Sequence, residues 1–317
     1  MPKTIAPEQA VEIITSASAD AVTRINMFTK DVFHTRGGRI GSGMGLLLEG
    51  LWGYYVNQHL RECTDISKDI EIAWITHHEY NDFACVYRNV PWGGATRAGE
   101  ILRIEAKSMI ASADESKAHF DEVQSYFAPN DLLIVLMWDW VPLDAFSFYP
   151  HVREQYLGLA QEVAYLRDML HIKRGGSFVD RNCCPDGCVP AACKHHEEPL
   201  NANGKRERLT GPNCCRPANV SYAANFGGLV RMLKTGGEDA RREFRRIRKA
   251  SDSAHEYINF IHRNRPDEEV NQYMKFEWVE LANKLGVAIN RTLTSSEIRD
   301  LIATNVPDFR NYLRDLT

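Results

Sequence analysis

The first half of the chain alternates between two hydrophobic periods. Residues 8–30 carry apolar side chains at helical spacing, and residues 46–60 do the same directly after the glycine-rich stretch 41–45, which we expect to be a loop. Shorter apolar-rich segments with the character of strands follow at 69–76, 83–87 and 101–107. The pattern predicts two helices and then three strands joined by short connections, as in hairpins.

The second half begins with a predicted helix at 114–127, a buried strand at 132–138 and a long amphipathic helix at 152–172. A strand that follows a helix indicates a crossover and therefore a mixed sheet. Residues 175–217 lose the apolar periodicity, and the chain is predicted to be helical after 221. The expected fold is α/β (α+β), with a mixed sheet flanked by helices. Its expected regions are a core at 1–175, a Cys/His-rich insert at 176–220 and a helical region at 221–317.

The composition is that of a globular protein, with 44% hydrophobic and 25% charged residues among 317. The longest apolar run, at 132–138, is too short to cross a bilayer, so no membrane span is expected. Residues 1–10 contain no apolar signal core, which leads us to expect a cytoplasmic protein.

Positive charge is concentrated in one part of this chain of net charge -4. Residues 205–265 hold 14 Lys and Arg against 6 Asp and Glu. A basic segment on an acidic chain can bind phosphates locally, so double-stranded DNA is a candidate partner.

An acidic cluster with a lysine is the sharpest chemical signal. Glu105 and Lys107 stand two residues apart on a predicted strand, so their side chains share one face. Asp82 opens the preceding strand, and a hairpin can bring it beside Glu105. Two adjacent carboxylates repel unless a cation lies between them, and Mg²⁺ suits such oxygen ligands. Glu49, on the helix before the sheet, can approach from the other side.

These residues resemble the PD-(D/E)xK nuclease superfamily, and type II restriction endonucleases in particular. The resemblance covers roughly residues 38–140 and includes the order of helix, three strands, helix and strand. It implies that Glu49, Asp82, Glu105 and Lys107 are catalytic and that Asp82 and Glu105 hold Mg²⁺. One departure is that Asn81 precedes the acid where proline is usual.

Other interpretations of the same residues remain open. A lone Glu-x-Lys also occurs at solvated strand ends, and Asp69 and Glu71 are rival acids on the preceding strand. The glycines at 41–45 could form a dinucleotide-binding loop, although that loop requires a preceding strand and residues 30–36 fit one poorly.

Six of the eight cysteines fall within 33 residues, in a segment without a core of its own. This crowding predicts one structural Zn²⁺ held by four ligands. The candidate ligands are Cys183, Cys184, Cys188, Cys193, Cys214 and Cys215, with His195 as a further possibility. Iron, disulfides and free thiols are the alternatives.

Two segments are candidates for DNA contact. The first is a loop with Trp92 and Arg97, since arginine can recognise guanine edges. The second is a helix dense in cations that can meet phosphates. Its cations are Arg241, Arg242, Arg245, Arg246, Arg248 and Lys249. A solvated face and an ordinary hairpin loop are the structural alternatives.

The combined expectation is a Mg²⁺-dependent, sequence-specific DNA endonuclease of restriction type. Because cutting both strands of a symmetric site takes two active sites, a homodimer is expected. The alternatives are a DNA-binding regulatory zinc protein with an inactive nuclease core and a structure-specific repair or recombination nuclease.

Overall fold

A computed structural model describes the following parts of the chain: 4–33, 35, 41–75, 81–94, 97–111, 124, 127–173, 233, 237–290 and 292–316. The N-terminal helices are α1 (Pro7–Val32) and α2 (Gly41–Glu62), and a short 3-10 helix follows at Ile66–Asp69. The strands are β1 (Ile70–Trp74), β2 (Phe83–Tyr87), β3 (Glu100–Ile110), β4 (Leu132–Pro142) and β5 (Phe148–Leu159). The later helices are α3 (Ala160–Lys173), α4 (Glu238–Ala250), α5 (Asp252–Asn264), α6 (Pro266–Gln272), α7 (Lys275–Lys284) and α8 (Ser295–Asn305), followed by a 3-10 helix at Phe309–Asp315.

The strands form one mixed sheet in the order β1-β2-β3-β4-β5. Strands β1 to β3 are antiparallel neighbours, β3 and β4 run parallel, and β4 and β5 are antiparallel. A parallel pair requires a crossover connection, which here runs through residues 111–131. The mixed sheet and the α+β class are therefore confirmed. The predicted helix at 114–127 lies outside the described residues, apart from 124 and 127.

Helices cover both faces of the sheet. On one face α1 and α2 pack against the sheet, where Trp52 and Ile134 belong to the same buried cluster. On the other face Tyr257 of α5 shares a buried cluster with Val135, and this cluster extends through α7 and α8. Strand β4 contributes to both clusters, which confirms the predicted buried strand. None of the described helices is both long and apolar enough to cross a membrane.

The predicted helix at 152–172 is wrong in its first part, because residues up to Leu159 belong to β5. A β-bulge explains the misleading pattern. In the pairing with β4, Glu154 lies opposite Met137 and Val152 opposite Trp138, so Arg153 is an extra residue. The bulge shifts the alternation, so that Val152 and Tyr156 are buried on opposite faces of the sheet. Their spacing of four residues also fits a helix. Only the segment from Ala160 onward forms the predicted helix.

The glycine-rich stretch is also helical, contrary to the expected loop. Helix α2 begins at Gly41 and includes Gly45. A side chain at position 45 would collide with β3, since an ideal Cβ there lies 2.6 Å from Ser108 Oγ. Glycine at position 45 therefore allows α2 to pack closely against β3.

Asparagine side chains close both outer edges of the sheet. Asn57 of α2 donates to the carbonyl of Ile72 at 2.8 Å and accepts from its N–H at 2.7 Å. Asn26 of α1 forms the same two bonds with Val152 of β5, at 2.9 and 2.8 Å. A carboxamide has one donor group and one acceptor that match the C=O and N–H of a strand residue. Each asparagine therefore satisfies edge hydrogen bonds that a neighbouring strand would otherwise make.

We expect Asn57→Ala to lower the free energy of unfolding by about 2 kcal/mol, because two partly buried backbone groups lose their partners. Urea unfolding measures this loss. Gln58→Ala is the control, since the Gln58 amide bonds the Tyr54 hydroxyl at the surface, and it should change stability by less than about 0.5 kcal/mol. Equal stabilities of the two variants would contradict the role given to Asn57.

Candidate active site

The site lies where β3 continues past the start of β2. The first residue of β2, Phe83, pairs with Ile104. Strand β3 extends six residues further, to Ile110, and pairs there with β4 on its other side. Within the described ranges, no strand pairs with the outer edge of β3 beyond Ile104. Backbone N–H groups on this edge need other acceptors.

Carboxylates supply those acceptors. Asp82 Oδ2 accepts the N–H of Ala106 at 2.9 Å. Glu49 accepts hydrogen bonds from the backbone and the side chain of Ser108. Because Ala106 and Ser108 are two residues apart, their N–H groups point to the same edge, roughly 7 Å apart along the strand. The two acids therefore stand side by side along the open edge of β3.

Glu105 and Lys107 complete the cluster. The Lys107 ammonium lies 2.6 Å from Glu105 Oε1 and 3.6 Å from Asp82 Oδ2. The other carboxylate oxygen of Glu105, Oε2, accepts the N–H of Asn81 at 2.8 Å. Only 7% of Glu105 is exposed. The structure thus brings all four predicted residues together around one ammonium group.

The backbone of Asn81 explains the missing proline. Asn81 has φ of 79°, in the left-handed region that asparagine tolerates better than most residues. Proline fixes φ near -65° and cannot adopt this conformation. The turn at Asn81 directs its backbone N–H to Glu105. Asn81 therefore holds the Glu105 carboxylate in place.

Burial and mutual charge shift the pKa values in this cluster. Burial raises the pKa of Glu49 to about 7, against the opposing effect of the Lys107 ammonium. Burial also raises the pKa of Glu105, and Lys107 limits that increase. For Lys107 itself burial would lower the pKa, but the carboxylates of Glu105 and Asp82 outweigh it and raise the pKa above its ordinary value. The lysine is therefore charged at neutral pH, while Glu49 is close to half protonation.

The cluster contains two carboxylates of the chemical kind that a small, hard cation takes. Asp82 and Glu105 both reach one positive centre, the Lys107 ammonium, with carboxylate oxygens of the kind that Mg²⁺ prefers. Across the residues that the structure describes, no group of three or more His, Cys, Asp or Glu side chains is arranged to hold a metal ion. The predicted ligand pair is present, and further ligands would have to come from Glu49 or from the substrate.

The rival acids lie elsewhere. Glu71 is on β1, at the end of the hairpin away from the cluster, and pairs with Arg88 at 3.2 Å. The backbone carbonyl of Asp69 accepts the N–H of the same Arg88. Neither contact involves the cluster around Lys107.

The predicted DNA-contacting loop lies at the far end of the β2–β3 hairpin. Glu100 begins β3 five residues before Glu105, which is roughly 17 Å along the strand. The Trp92 indole N–H donates to Glu100 Oε1 at 3.1 Å, so this group already has a partner. Arg97 is exposed, with φ of 54°. Contact of Trp92 and Arg97 with DNA stays a prediction, and it would occur away from the acidic cluster.

The basic helix divides into a packed face and an exposed face. Arg248 is fully buried and donates to Tyr273, Asn259 and His255. This contradicts the expectation that Arg248 meets phosphates, because its guanidinium holds the helical layer together.

The other cations of α4 differ in exposure. Arg245 is paired with the buried Glu277, and Arg241 donates to the sulfur of Met274. The exposed cations are Arg242, Arg246 and Lys249, at i, i+4 and i+7. We name these three residues the α4 stripe. Arg242 lies 3.5 Å from Glu238, and Arg246 bonds Glu243 at 2.6 Å, as expected for a solvated face with its own acidic partners. Contact of the stripe with phosphates stays a prediction.

The predicted zinc ligands between Cys183 and Cys215, with His195, all lie outside the described residues. Of the described cysteines, Cys63 is partly exposed and Cys85 is buried, and both are free thiols. The zinc site stays a prediction.

Sequence reasoning missed two contributors to the site. Ser108 bonds Glu49, and Gly45 leaves room for the Ser108 hydroxyl. A glycine four residues before Glu49 was an available signal, since residues four apart share a helix face. Nothing in the local sequence marks Ser108, because its role arises from the position where β2 begins.

Comparisons with protein-family models, with curated proteins and with solved structures find no match to this chain. Arguments about its function therefore rest on the geometry of the site.

We expect Lys107→Met to lower the free energy of unfolding at pH 7 by about 2 kcal/mol, because two neighbouring carboxylates lose a half-buried counterion. The loss should shrink toward pH 4. Burial already raises the pKa of Glu105, and without the ammonium that pKa rises further above its unfolded value, so the folded variant binds a proton more readily and its deficit is smaller in acid. Urea unfolding at several pH values measures the effect.

Lys68→Met is the control for this experiment, since Lys68 is exposed on the 3-10 helix before β1. It should change stability little at any pH. A Lys107→Met loss of the same size at pH 4 and pH 7 would contradict the charge argument.

Proposed function

We propose that the protein is a Mg²⁺-dependent endonuclease that hydrolyses phosphodiester bonds of double-stranded DNA, with sequence specificity of the type II restriction kind. One observation carries the proposal. Glu49, Asp82, Glu105 and Lys107 converge on one strand edge, with the lysine 2.6 Å and 3.6 Å from two of the acids. This set combines cation ligands, a charged hydrogen-bond donor and a group that titrates near neutral pH.

Asp82 and Glu105 would hold the metal ion through their carboxylate oxygens. When bound, Mg²⁺ supplies neutralisation of charge on the scissile phosphate and lowers the pKa of water. Phosphodiester hydrolysis breaks one bond between phosphorus and an ester oxygen, while a water oxygen forms a new bond to phosphorus. Negative charge builds up on the phosphate oxygens during this exchange and needs positive partners.

Lys107 can meet this need. Its ammonium is held on the same side of β3 as Glu105 and is charged at neutral pH. It can donate to a phosphate oxygen or orient the attacking water.

Glu49 has a pKa of about 7, which suits a group that exchanges protons near neutral pH. It is the candidate to accept a proton from water or to pass one to the leaving oxygen. Because it stands along the β3 edge beside Asp82, it completes the acidic side of the site.

The α4 stripe is the proposed phosphate contact. Arg242 and Arg246 have 72% and 54% of their side chains exposed. Since a duplex cut at a symmetric site takes two active sites, we propose that the protein works as a homodimer.

We expect Asp82→Asn and Glu105→Gln to reduce plasmid cleavage in Mg²⁺ at least about 100-fold, because each loses a carboxylate of the metal-binding pair. Binding to the same DNA in Ca²⁺ should be retained. Glu71→Gln is the matched control, since Glu71 pairs with Arg88 outside the cluster, and it should cut like wild type.

The pattern of products separates the proposal from its rivals. Discrete fragments support a sequence-specific enzyme, and nicking confined to branched or damaged DNA supports a repair nuclease. Binding of DNA by wild type with no cutting in Mg²⁺ would support the regulatory protein with an inactive core.

Neutralising the α4 stripe, with Arg242→Gln, Arg246→Gln and Lys249→Gln together, should weaken DNA binding on any sequence. Each lost phosphate contact should flatten the log–log dependence of affinity on salt by about 0.9. A salt titration in Ca²⁺ measures the slope for the wild type and the variant.

Arg61→Gln with Lys68→Gln is the control for loss of surface charge outside α4, since both residues are exposed. An α4 variant with an unchanged slope would show that the stripe faces only solvent. A loss confined to one DNA sequence would assign it to base recognition instead.

A further inference from the structure

The closest approach between a helix and the open edge of β3 occurs at Gly45. A Cβ at this position would lie 2.6 Å from Ser108 Oγ, which is closer than real Cβ atoms come to other heavy atoms. The hydroxyl of Ser108 therefore occupies the space that a side chain at position 45 would fill. Glycine inside a helix is less favourable than alanine, so the glycine at position 45 allows close packing at a cost in helix stability.

The face of α2 that meets the sheet has a spacing of four residues. Gly45, Glu49 and Gly53 follow one another at i, i+4 and i+8, so they share one side of the helix. A Cβ at Gly53 would lie 2.9 Å from the Phe83 ring. The two glycines thus bring α2 close to β2 and β3, and the glutamate between them reaches the strand edge.

Both donors of Ser108 are directed to Glu49. The carboxylate of Glu49 accepts from the Ser108 backbone N–H and from its hydroxyl. A glutamate side chain has three rotatable bonds and loses conformational entropy when it is held in one arrangement. The two hydrogen bonds from Ser108 hold the Glu49 carboxylate in one arrangement and thereby set its distance from Lys107.

We propose that Ser108 is a positioning residue that holds the Glu49 carboxylate at the edge of β3, and that position 45 must be glycine for it to do so. This inference rests on the proposed nuclease function. It names the residue that orients Glu49, one position beyond the Glu105–Lys107 pair.

A double-mutant cycle tests the arrangement. Ser108→Ala removes the hydroxyl and should slow cleavage in Mg²⁺ about tenfold, the effect of losing one well-placed hydrogen bond. Gly45→Ala places a methyl group where the hydroxyl stands and should slow cleavage at least as much. The double variant should be no slower than Ser108→Ala, because the methyl group then has room.

Gly50→Ala is the matched control for a glycine replaced within α2. Its Cβ would meet the Trp74 ring at 3.4 Å, an ordinary contact, so cleavage should stay at the wild-type rate. Binding of DNA in Ca²⁺ should be unchanged in every variant. Independent, multiplying effects of Gly45→Ala and Ser108→Ala, or wild-type cleavage by Ser108→Ala, would overturn the proposal.

A second measurement does not depend on cleavage. The side-chain carboxyl ¹³C signal of Glu49, assigned by its disappearance in Glu49→Gln, reports the surroundings of this carboxylate. In Ser108→Ala the signal should shift at constant pH, because the carboxylate loses one of its two hydrogen bonds. An unchanged signal would overturn the positioning role.

The two readouts separate this inference from the function on which it rests. If the wild type does not cut DNA in Mg²⁺, the proposed function fails, and the Glu49 signal alone decides whether Ser108 holds the carboxylate. If the wild type cuts and the signal of Glu49 does not respond to Ser108→Ala, the function stands and the positioning role is rejected.

Discussion

The candidate site depends on a hydrogen bond between a carboxylate and the unpaired edge of a strand. Because β2 begins at Phe83, the N–H of Ala106 has no strand partner on that side, and Asp82 accepts it at 2.9 Å. A buried N–H without an acceptor costs about 1–3 kcal/mol, so an acid at this position stabilises the fold before it does any chemistry. Glu49 meets the next N–H on the same edge. The acids stand in a row because the backbone requires acceptors there.

Because the acceptors are carboxylates, the cluster has a surplus of negative charge. Three carboxylates, from Glu49, Asp82 and Glu105, face the single ammonium of Lys107, so the cluster is negative whenever all three are ionised. Burial counteracts the surplus by raising the pKa of Glu49 to about 7, which leaves a proton partly bound there at neutral pH. A divalent cation would balance the same charge. The groups that cap the strand edge are therefore also suited to bind a metal ion.

The sequence predicted the elements whose patterns are local. The alternation in β3 placed Glu105 and Lys107 on one face, and the apolar run 132–138 identified the buried β4. The sequence pattern did not predict β5, because the extra residue Arg153 breaks the period of two in that strand. The bulge is set by pairing with β4, which no local pattern reveals.

The charged residues also divide into those predicted by the sequence and those whose surroundings depend on distant contacts. The convergence of four site residues was expected, because the helical pattern placed Glu49 before the sheet and the family resemblance gave it a catalytic role. The burial of Arg248 was missed because a run of cations resembles a solvated face. Ala240, Phe244 and Ile247 mark the packed side of α4, and Arg248 follows directly beside them. The spacing of these apolar residues could have predicted that Arg248 lies on the packed side of α4, although the number of cations suggested an exposed helix.

The bulge at Arg153 also determines how the protein can be divided. Because of it, β5 gives Val152 to the cluster under α1 and α2 and Tyr156 to the cluster under α3–α8. Neighbouring β4 is likewise buried on both sides. A fragment that ended near residue 175 would leave Tyr156 and the β4 residues of that face without the later helices that cover them. Unfolding of the described part should therefore be one cooperative transition, and truncation to the N-terminal segment should produce an insoluble chain instead of a smaller active unit.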